Sequence, residues 1–342
     1  MLFVKVPKAY AEKARITLRR AKLLDNNYNV RYNKGYVYFP VKDWSIALSI
    51  PGAEMVKLRA RKRGSARSIH DELSKFMTSE EIKMLTKGYD LLGNIAIIEV
   101  PDALEKKERQ IAEALISASK HIETVLKKAG PVHGIYRTRR LKYLAGRKNF
   151  IATYRENGCV FEFDVRKVFF SNRLSFERSR LCSIAKDGEN IMVMFAGVGP
   201  FAIEIAKTHK NANIVAIELN KKAYEYMNRN IMLNKVSNVK AVLGDVRKVS
   251  MRFKGFADRI IMPMPKSSML FLDEAYTVAK KLAFLHIYTF APSKDSLPYV
   301  QEKIDAFAKK RKIRIRLLRY RIVRPYSAAE VELVLDLEMR KE

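Results

Sequence analysis

The sequence predicts an α/β chain whose C-terminal half is a doubly wound, mainly parallel sheet preceded by two smaller modules. Three observations carry that prediction. Between Ile191 and Met262, apolar runs of strand length alternate with helical patterns. The first of those strands runs into a glycine turn, Phe195-Ala-Gly-Val-Gly-Pro-Phe201, and a helix pattern follows at once. Hydrophobic residues fill 48% of the 342 positions, enough for more than one core.

In chain order, residues 1–62 read as a small α/β module. A strand at 2–6 precedes a helix from Tyr10 to Leu24. Two hairpin strands, at 29–32 and 36–39, are joined by the turn sequence Asn33-Lys34-Gly35. The basic stretch near residues 57–68, with Gly64 and Ser65, reads as a linker or as an ordered loop that contacts a polyanion. Residues 68–165 form an intermediate α+β region. Thr78 to Leu85 is helical, and 94–100 is a strand. A long helix is expected over 105–128, because Ile111, Leu115, Ala118, Ile122 and Val125 recur at helical spacing. Strands at 132–139, 150–155 and 160–165 follow, the last two joined by Glu156-Asn157-Gly158. Residues 166–342 are the large domain, with its last strands at 313–322 and 331–337.

The turn after the first strand of that domain suits a nucleotide-type cofactor. Glycines permit positive φ and close backbone approach, and a helix start offers unpaired N–H groups. The second strand ends at Glu218, where a carboxylate can accept from a ribose diol. The third leads to Gly244-Asp245, where Asp245 can take an adenine amino group. The fourth ends in Pro263-Met264-Pro265. This order suits S-adenosyl-L-methionine better than a dinucleotide, because the loop is G-x-G-P-F and lacks G-x-G-x-x-G. Each acid alone could equally be a strand-end cap.

Charge is the second strong signal. Lys and Arg number 66 against 36 acids, a formal +30. The cations cluster at 57–67, 137–148 and 309–324, which points to a nucleic acid partner. A merely soluble surface, or adaptation to heat, accounts for many charges but not for this imbalance. No apolar run reaches membrane-spanning length, and the start lacks a signal-peptide layout. Cys159 and Cys182 form neither a zinc cluster nor a disulfide framework. A reduced, cytoplasmic setting, no metal and a monomer are the expectations.

Ahead of the first cofactor strand, residues 167–181 run from a strand-like start through a polar turn into a helix that carries Glu177. Such a helix can reach over the mouth of the site. The strings Val168-Phe-Phe-Ser-Asn-Arg-Leu-Ser-Phe-Glu-Arg178, Met194-Phe-Ala-Gly-Val-Gly-Pro-Phe201, Ala216-Ile-Glu-Leu-Asn220, Gly244-Asp-Val-Arg247 and Arg137-Thr-Arg139 stand in this order with Pro263-Met-Pro265. Together they resemble the archaeal and eukaryotic-type tRNA (guanine-37-N1)-methyltransferase family, over nearly the whole chain. The N-terminal module is similar to that family's small domain, which touches the tRNA elbow.

The resemblance implies a Rossmann-type class I methyltransferase domain and tRNA as partner. It places the proton-accepting carboxylate on Glu177 and the arginine that stabilises charge on guanine O6 on Arg137. It places Phe169 beside the methionine moiety, and Arg178 against the base or a phosphate. The implied cofactor pocket holds Phe169, Arg178, Phe195, Gly197, Gly199, Glu218, Asp245, Val246, Pro263 and Pro265. From the basic clusters, Arg61, Arg63, Arg139, Lys142 and Arg324 are the candidate RNA contacts. Two departures stand out. Val193 occupies a place where the family usually has an acid, and Pro263-Met264-Pro265 replaces Asn-Leu-Pro or Asn-Pro-Pro. A subgroup of archaeal relatives with this kind of change is associated with C-methylation of the wyosine precursor imidazo-4-demethylwyosine, so dual activity is an expectation. Two competing readings are another RNA base methyltransferase and a non-catalytic RNA-binding protein on a decayed cofactor fold. The fourth-strand turn has neither the cysteine nor the Asn/Asp-Pro-Pro-aromatic pattern the first would need.

Overall fold

The structure, a computed structural model, describes residues 1–33, 35–45, 47–60, 68–85, 88–134 and 138–342. The chain divides into two compact units, Met1–Phe76 with Ser117–Ser119, and Met77–Ile116 with Lys120–Glu342. In the first unit, β1 (Leu2–Pro7), α1 (Ala11–Arg20), β2 (Arg31–Tyr32), β3 (Tyr36–Pro40) and β4 (Glu54–Lys57) build a sheet in the order β2-β3-β1-β4. Alternation along β1 sends Val4 and Val6 to one face, where Ala14 and Leu18 of α1 cover them. The short α2 (Ile69–Leu73) begins with a capping box between Ser68 and Asp71.

The second unit opens with α3 (Ser79–Met84), capped reciprocally by Thr78 and Glu81. Next come β5 (Asp90–Leu92), β6 (Ile95–Ile98), α4 (Glu108–Ala118), β7 (Thr124–His133) and β8 (Thr138–Gly146), with sheet order β5-β6-β7-β8. The helix expected over 105–128 therefore stops at Ala118, and Val125 lies in a strand. The spacing continues by coincidence. Thr124 to Lys127 instead pair in parallel with Ile95 to Ile98, which buries Val125 and Leu126 completely. That pairing removes two large apolar side chains from water, about 1.5–3 kcal/mol each, and overrides the helical pattern.

A hairpin of β9 (Ile151–Glu156) and β10 (Cys159–Asp164) turns at Asn157 (φ 46°) and Gly158 (φ 75°). It is not a separate layer ahead of the large domain. Phe161 and Phe163 share a core with Val198, Ile203 and Ala223. Asn230 and Asn234 side chains accept from Glu162 N and Val160 N, both at 2.8 Å. The boundary expected near 166 is thus bridged by packing.

The remaining elements are α5 (Ser175–Ile184), β11 (Asn190–Met194), α6 (Pro200–Thr208), β12 (Asn213–Glu218), α7 (Lys221–Leu233), β13 (Val239–Leu243), α8 (Val246–Val249), β14 (Ala257–Met262), α9 (Leu272–Val278), β15 (Ala279–Pro292), α10 (Ser296–Arg311), β16 (Arg314–Pro325) and β17 (Glu330–Arg340). The seven-stranded sheet runs β13-β12-β11-β14-β15-β17-β16; its pairings are parallel from β13 to β15 and antiparallel between β15 and β17 and between β17 and β16. This is the doubly wound sheet the sequence predicted, with β15 and α10 added. Because β12 and β14 flank β11 on opposite sides, the loops after these strands part there. A crevice opens at their carboxyl ends.

Candidate active site

The glycine turn is held by backbone geometry. Ala196 N donates to Ile217 O (2.9 Å) and Gly199 N to Ala196 O (3.0 Å). Gly199 stands at φ 90° as N-cap of α6, with Pro200 at the first helical position. A Cβ there would meet Met227 Cγ at 2.9 Å and Ile203 Cδ1 at 3.0 Å. Phe195, which has a side chain, also sits at φ 57°, a strained state for a bulky residue. Its ring stacks edge-on to Phe271, with centroids 4.8 Å apart, which offsets about 0.5–1.5 kcal/mol of that strain.

The loops after β11 to β14 enclose a cleft of about 330 Å³ whose walls include Phe169, Phe195, Gly197, Glu218, Asp245, Val246 and Pro263. Glu218 accepts from Gly197 N and Asn220 N, both at 2.7 Å. Burial raises its carboxyl above the usual range, opposed by those backbone N–H groups. Each carboxylate oxygen keeps a second lone pair for a ligand hydroxyl. Asp245 caps α8 by accepting from Arg247 N at 2.9 Å while also lining the cleft. A bent glycine backbone, one diol-type acceptor, one strand-end acid and aromatic walls fit S-adenosylmethionine.

A second cleft of about 400 Å³ shares Phe169 with the first. Its chemistry is different. Asp90 meets Arg139 Nη1 at 2.9 Å, Arg173 Nη2 at 3.1 Å and Lys128 Nζ at 3.6 Å. Burial alone would raise the Asp90 carboxyl, but Arg139, Lys128 and Arg173 together hold it below the usual range. Arg324 and Tyr326 complete the wall. Tyr326 packs on Phe290 with centroids 4.1 Å apart, and Arg324 pairs with Glu332 at 2.7 Å. Cations and aromatic faces in one concavity suit an unstacked nucleotide.

Glu177 is fully buried in the first turn of α5 and is not on either wall. Its Oε2 accepts from Arg180 Nε (2.9 Å) and from Tyr288 OH (3.2 Å). Its Oε1 lies 3.0 Å from Arg321 Nη1 but makes no hydrogen bond among the described residues.

Three cofactor-wall expectations need correction. Arg178 is no cofactor contact: its guanidinium is buried between Glu156 (2.7 Å) and Glu204 (3.2 Å), and it donates to Ser171 O (3.1 Å). It anchors the segment that carries Phe169. Gly199 stands behind the cleft and shapes it through φ. Pro265 is buried, and its carbonyl accepts from Phe290 N. Lys142, an expected RNA contact on β8, pairs with Glu108 of α4 and lines neither cleft. Arg61, Arg63 and Arg137 lie outside the described residues. Sequence reasoning missed Asp90, Tyr288, Arg321 and Asp336. Asp336 left a trace as an acid inside the apolar run 331–337, and Arg321 as a member of the 309–324 cation cluster.

Among the described residues no helix is long and apolar enough to cross a membrane, and no group of His, Cys, Asp or Glu could hold a metal ion. A family model described as the TRM5/TYW2 methyltransferase domain matches residues 152–316. Models of the TYW2 N-terminal domain and of the tRNA methyltransferase 5 N-terminal domain match 69–149 and 4–45. The chain is 35% identical to the tRNA (guanine(37)-N(1))-methyltransferase Trm5b of Pyrococcus abyssi, across 99% of each chain. It is 33% identical to the tRNA (guanine(37)-N(1))/4-demethylwyosine(37)-methyltransferase Taw22 of Nanoarchaeum equitans, over 66% of this chain and 92% of that one. A solved complex of aTrm5 with tRNALeu superposes with a TM-score of 0.70 at 31% identity, covering 99% of both chains.

Proposed function

This chain belongs to the TRM5/TYW2 methyltransferase family, and from that premise we propose that it transfers a methyl group from S-adenosylmethionine to N1 of guanosine 37 in tRNA. The observation that carries the proposal is Phe169, one aromatic wall common to a cofactor-type cleft and a cationic, aromatic cleft. A flipped purine and a methyl donor that share this wall can meet at its edge, where the ring keeps water out. When bound, S-adenosylmethionine supplies an electrophilic methyl group on a sulfonium. Glu218 and Asp245 hold its nucleoside end, and the Phe195–Gly199 turn fixes its approach.

Guanine N1 carries a proton and is a poor nucleophile. Glu177 accepts that proton, and its Oε1, which among the described residues meets the Arg321 guanidinium without a hydrogen bond, is the atom assigned to it. Arg321 must yield for the base to reach it. Arg137 stabilises the charge that develops on O6. Arg139 and Arg324 position the nucleotide, and Arg61, Arg63 and Lys142 contact the tRNA backbone elsewhere. A protein acting on tRNA, with two thiols and no disulfide, works in the cytoplasm. Mass mapping of methylated nucleosides in tRNA treated with purified protein tests the reading; label anywhere but N1 of guanosine 37 would reject it.

One observation favours a second reaction on the same site. In Pro263-Met264-Pro265 two residues lack an N–H, and Met264 N is taken by Ser268 Oγ at 3.3 Å. The turn therefore offers a target base no free backbone donor, which leaves room for C7 methylation of imidazo-4-demethylwyosine. Methyl incorporation into tRNA carrying that tricyclic base tests it, and absence of label there ends it.

A further inference from the structure

Behind Glu177 a chain of buried polar groups crosses the sheet. Arg180 donates Nε to Glu177 and directs its other two nitrogens at Asp336, Nη1 to Oδ2 at 2.6 Å and Nη2 to Oδ1 at 3.2 Å. Asp336 on β17 stands in register with His286 on β15, and His286 Nδ1 lies 2.6 Å from Asp336 Oδ1. Arg259 Nη1 is 2.7 Å from His286 Nε2, and Glu189 neutralises Arg259 through contacts of 2.7 and 2.9 Å. A guanidinium can only donate. Nε2 of His286 is therefore the acceptor, and its single proton sits on Nδ1, aimed at Asp336. Burial lowers the tendency of His286 to protonate further, against the pull of Asp336. The direction of each hydrogen bond from Arg180 to Arg259 is thus fixed.

Such a row in the middle of a sheet is expensive to bury, and packing alone would favour apolar residues there. Among the described residues, the ionisable groups that face Glu177 are Arg180 on its own helix, Tyr288 from β15 and Arg321 from β16. Two of the three are cations. Left unshared, both would set a full positive charge against that carboxylate.

We infer that Asp336 is a positioning residue for methyl transfer: by occupying the outer nitrogens of Arg180 it leaves only Nε for Glu177, which fixes that carboxylate's direction and limits the positive charge it feels. The inference rests on the assignment of Glu177 as proton acceptor. It goes beyond that assignment because it makes the reactivity of Glu177 depend on a strand more than 150 residues further along the chain.

The test is Asp336→Asn, which keeps the shape and an acceptor oxygen for His286 but removes the charge. Methylation is measured at saturating cofactor and tRNA as a function of pH, with cofactor binding by calorimetry and the melting temperature alongside. The expected result is a kcat lower by roughly tenfold, within the range that general-base tuning supplies. KM for tRNA and cofactor affinity are expected to stay unchanged, and the acid limb of the kcat profile to move to lower pH. Arg180→Lys, which keeps a charge beside Glu177 but cannot fork onto Asp336, is expected to lower kcat in the same way. A lower melting temperature with an unmoved pH profile and normal kcat in folded protein would overturn the inference and leave Asp336 a structural residue. Glu177→Gln separates the two levels. If it stays active, the base assignment falls and the inference with it; if it is inactive while Asp336→Asn is normal, only the inference falls.

Discussion

The two clefts that share Phe169 are built by opposite means. Apart from Phe169, the cofactor cleft is made of strand ends from one run of chain, Phe195 to Phe271, and its shape comes from backbone: a left-handed glycine, a strained Phe195 and carboxylates held by N–H groups. The second cleft gathers Asp90, Lys128, Arg139, Arg173 and Arg324 from five separate stretches, and its shape comes from ion pairs. A surface held by backbone geometry is rigid and largely insensitive to salt. A surface held by exchanged ion pairs can trade an internal carboxylate for an incoming phosphate. The first suits a small cofactor of fixed shape, the second a large polyanion.

The largest effect expected is on the chemistry between them. Glu177→Gln should lower single-turnover kcat by about 10²–10⁴-fold with tRNA affinity retained; loss of binding with a normal rate per bound complex would break the division of labour. Next, Gly199→Ala should test whether the first cleft depends on backbone alone. The added methyl meets Met227 and Ile203 at φ 90°, so stability should fall by about 1–3 kcal/mol and cofactor affinity with it. Chemical denaturation and calorimetry read both, and an unchanged tRNA affinity is part of the expectation.

The support behind the common wall should respond to pH. Burial first, and then the Glu156 charge, push the Glu204 carboxyl up from 4.5 to about 8 beside Arg178. The folded state then holds a proton that the unfolded chain has lost, so stability falls as pH rises from 4.5 to about 8. Glu204→Gln should flatten melting temperature against pH within that window; an undiminished slope would refute the assignment. The smallest effect belongs to the second cleft. Asp90→Asn frees Arg139 and Arg173, and tRNA binding should tighten by under about 1 kcal/mol, with a salt slope steeper by about one unit. Weaker binding instead would mean that Asp90 orients those cations for RNA.

The difference between the clefts also explains what could be read in advance. Glu218 and Asp245 were found because each closes a strand, and strand, turn and helix are local patterns. The β9–β10 hairpin was found from its Asn157-Gly158 turn. The helix expected over 105–128 failed because the apolar spacing at Ile122 and Val125 fits a helix as well as it fits a strand, and only pairing with β6 decides. Arg178 was misplaced for a related reason. Its neighbour Glu177 and its motif point to the site, but helix rotation sends its guanidinium to Glu156 and Glu204.

The order of residues alone determined the alternating strands and helices, the glycine turn with its acids, and a charge balance that demands a polyanion. Each of these is set by neighbours within a few positions or by simple sums. Which carboxylate meets which guanidinium was decided only by the tertiary structure. Asp336 reaches Arg180 across 156 residues and Asp90 reaches Arg173 across 83. A charge carries no periodicity that would name its partner, and the sheet's strand order must exist before Glu177 has surroundings at all.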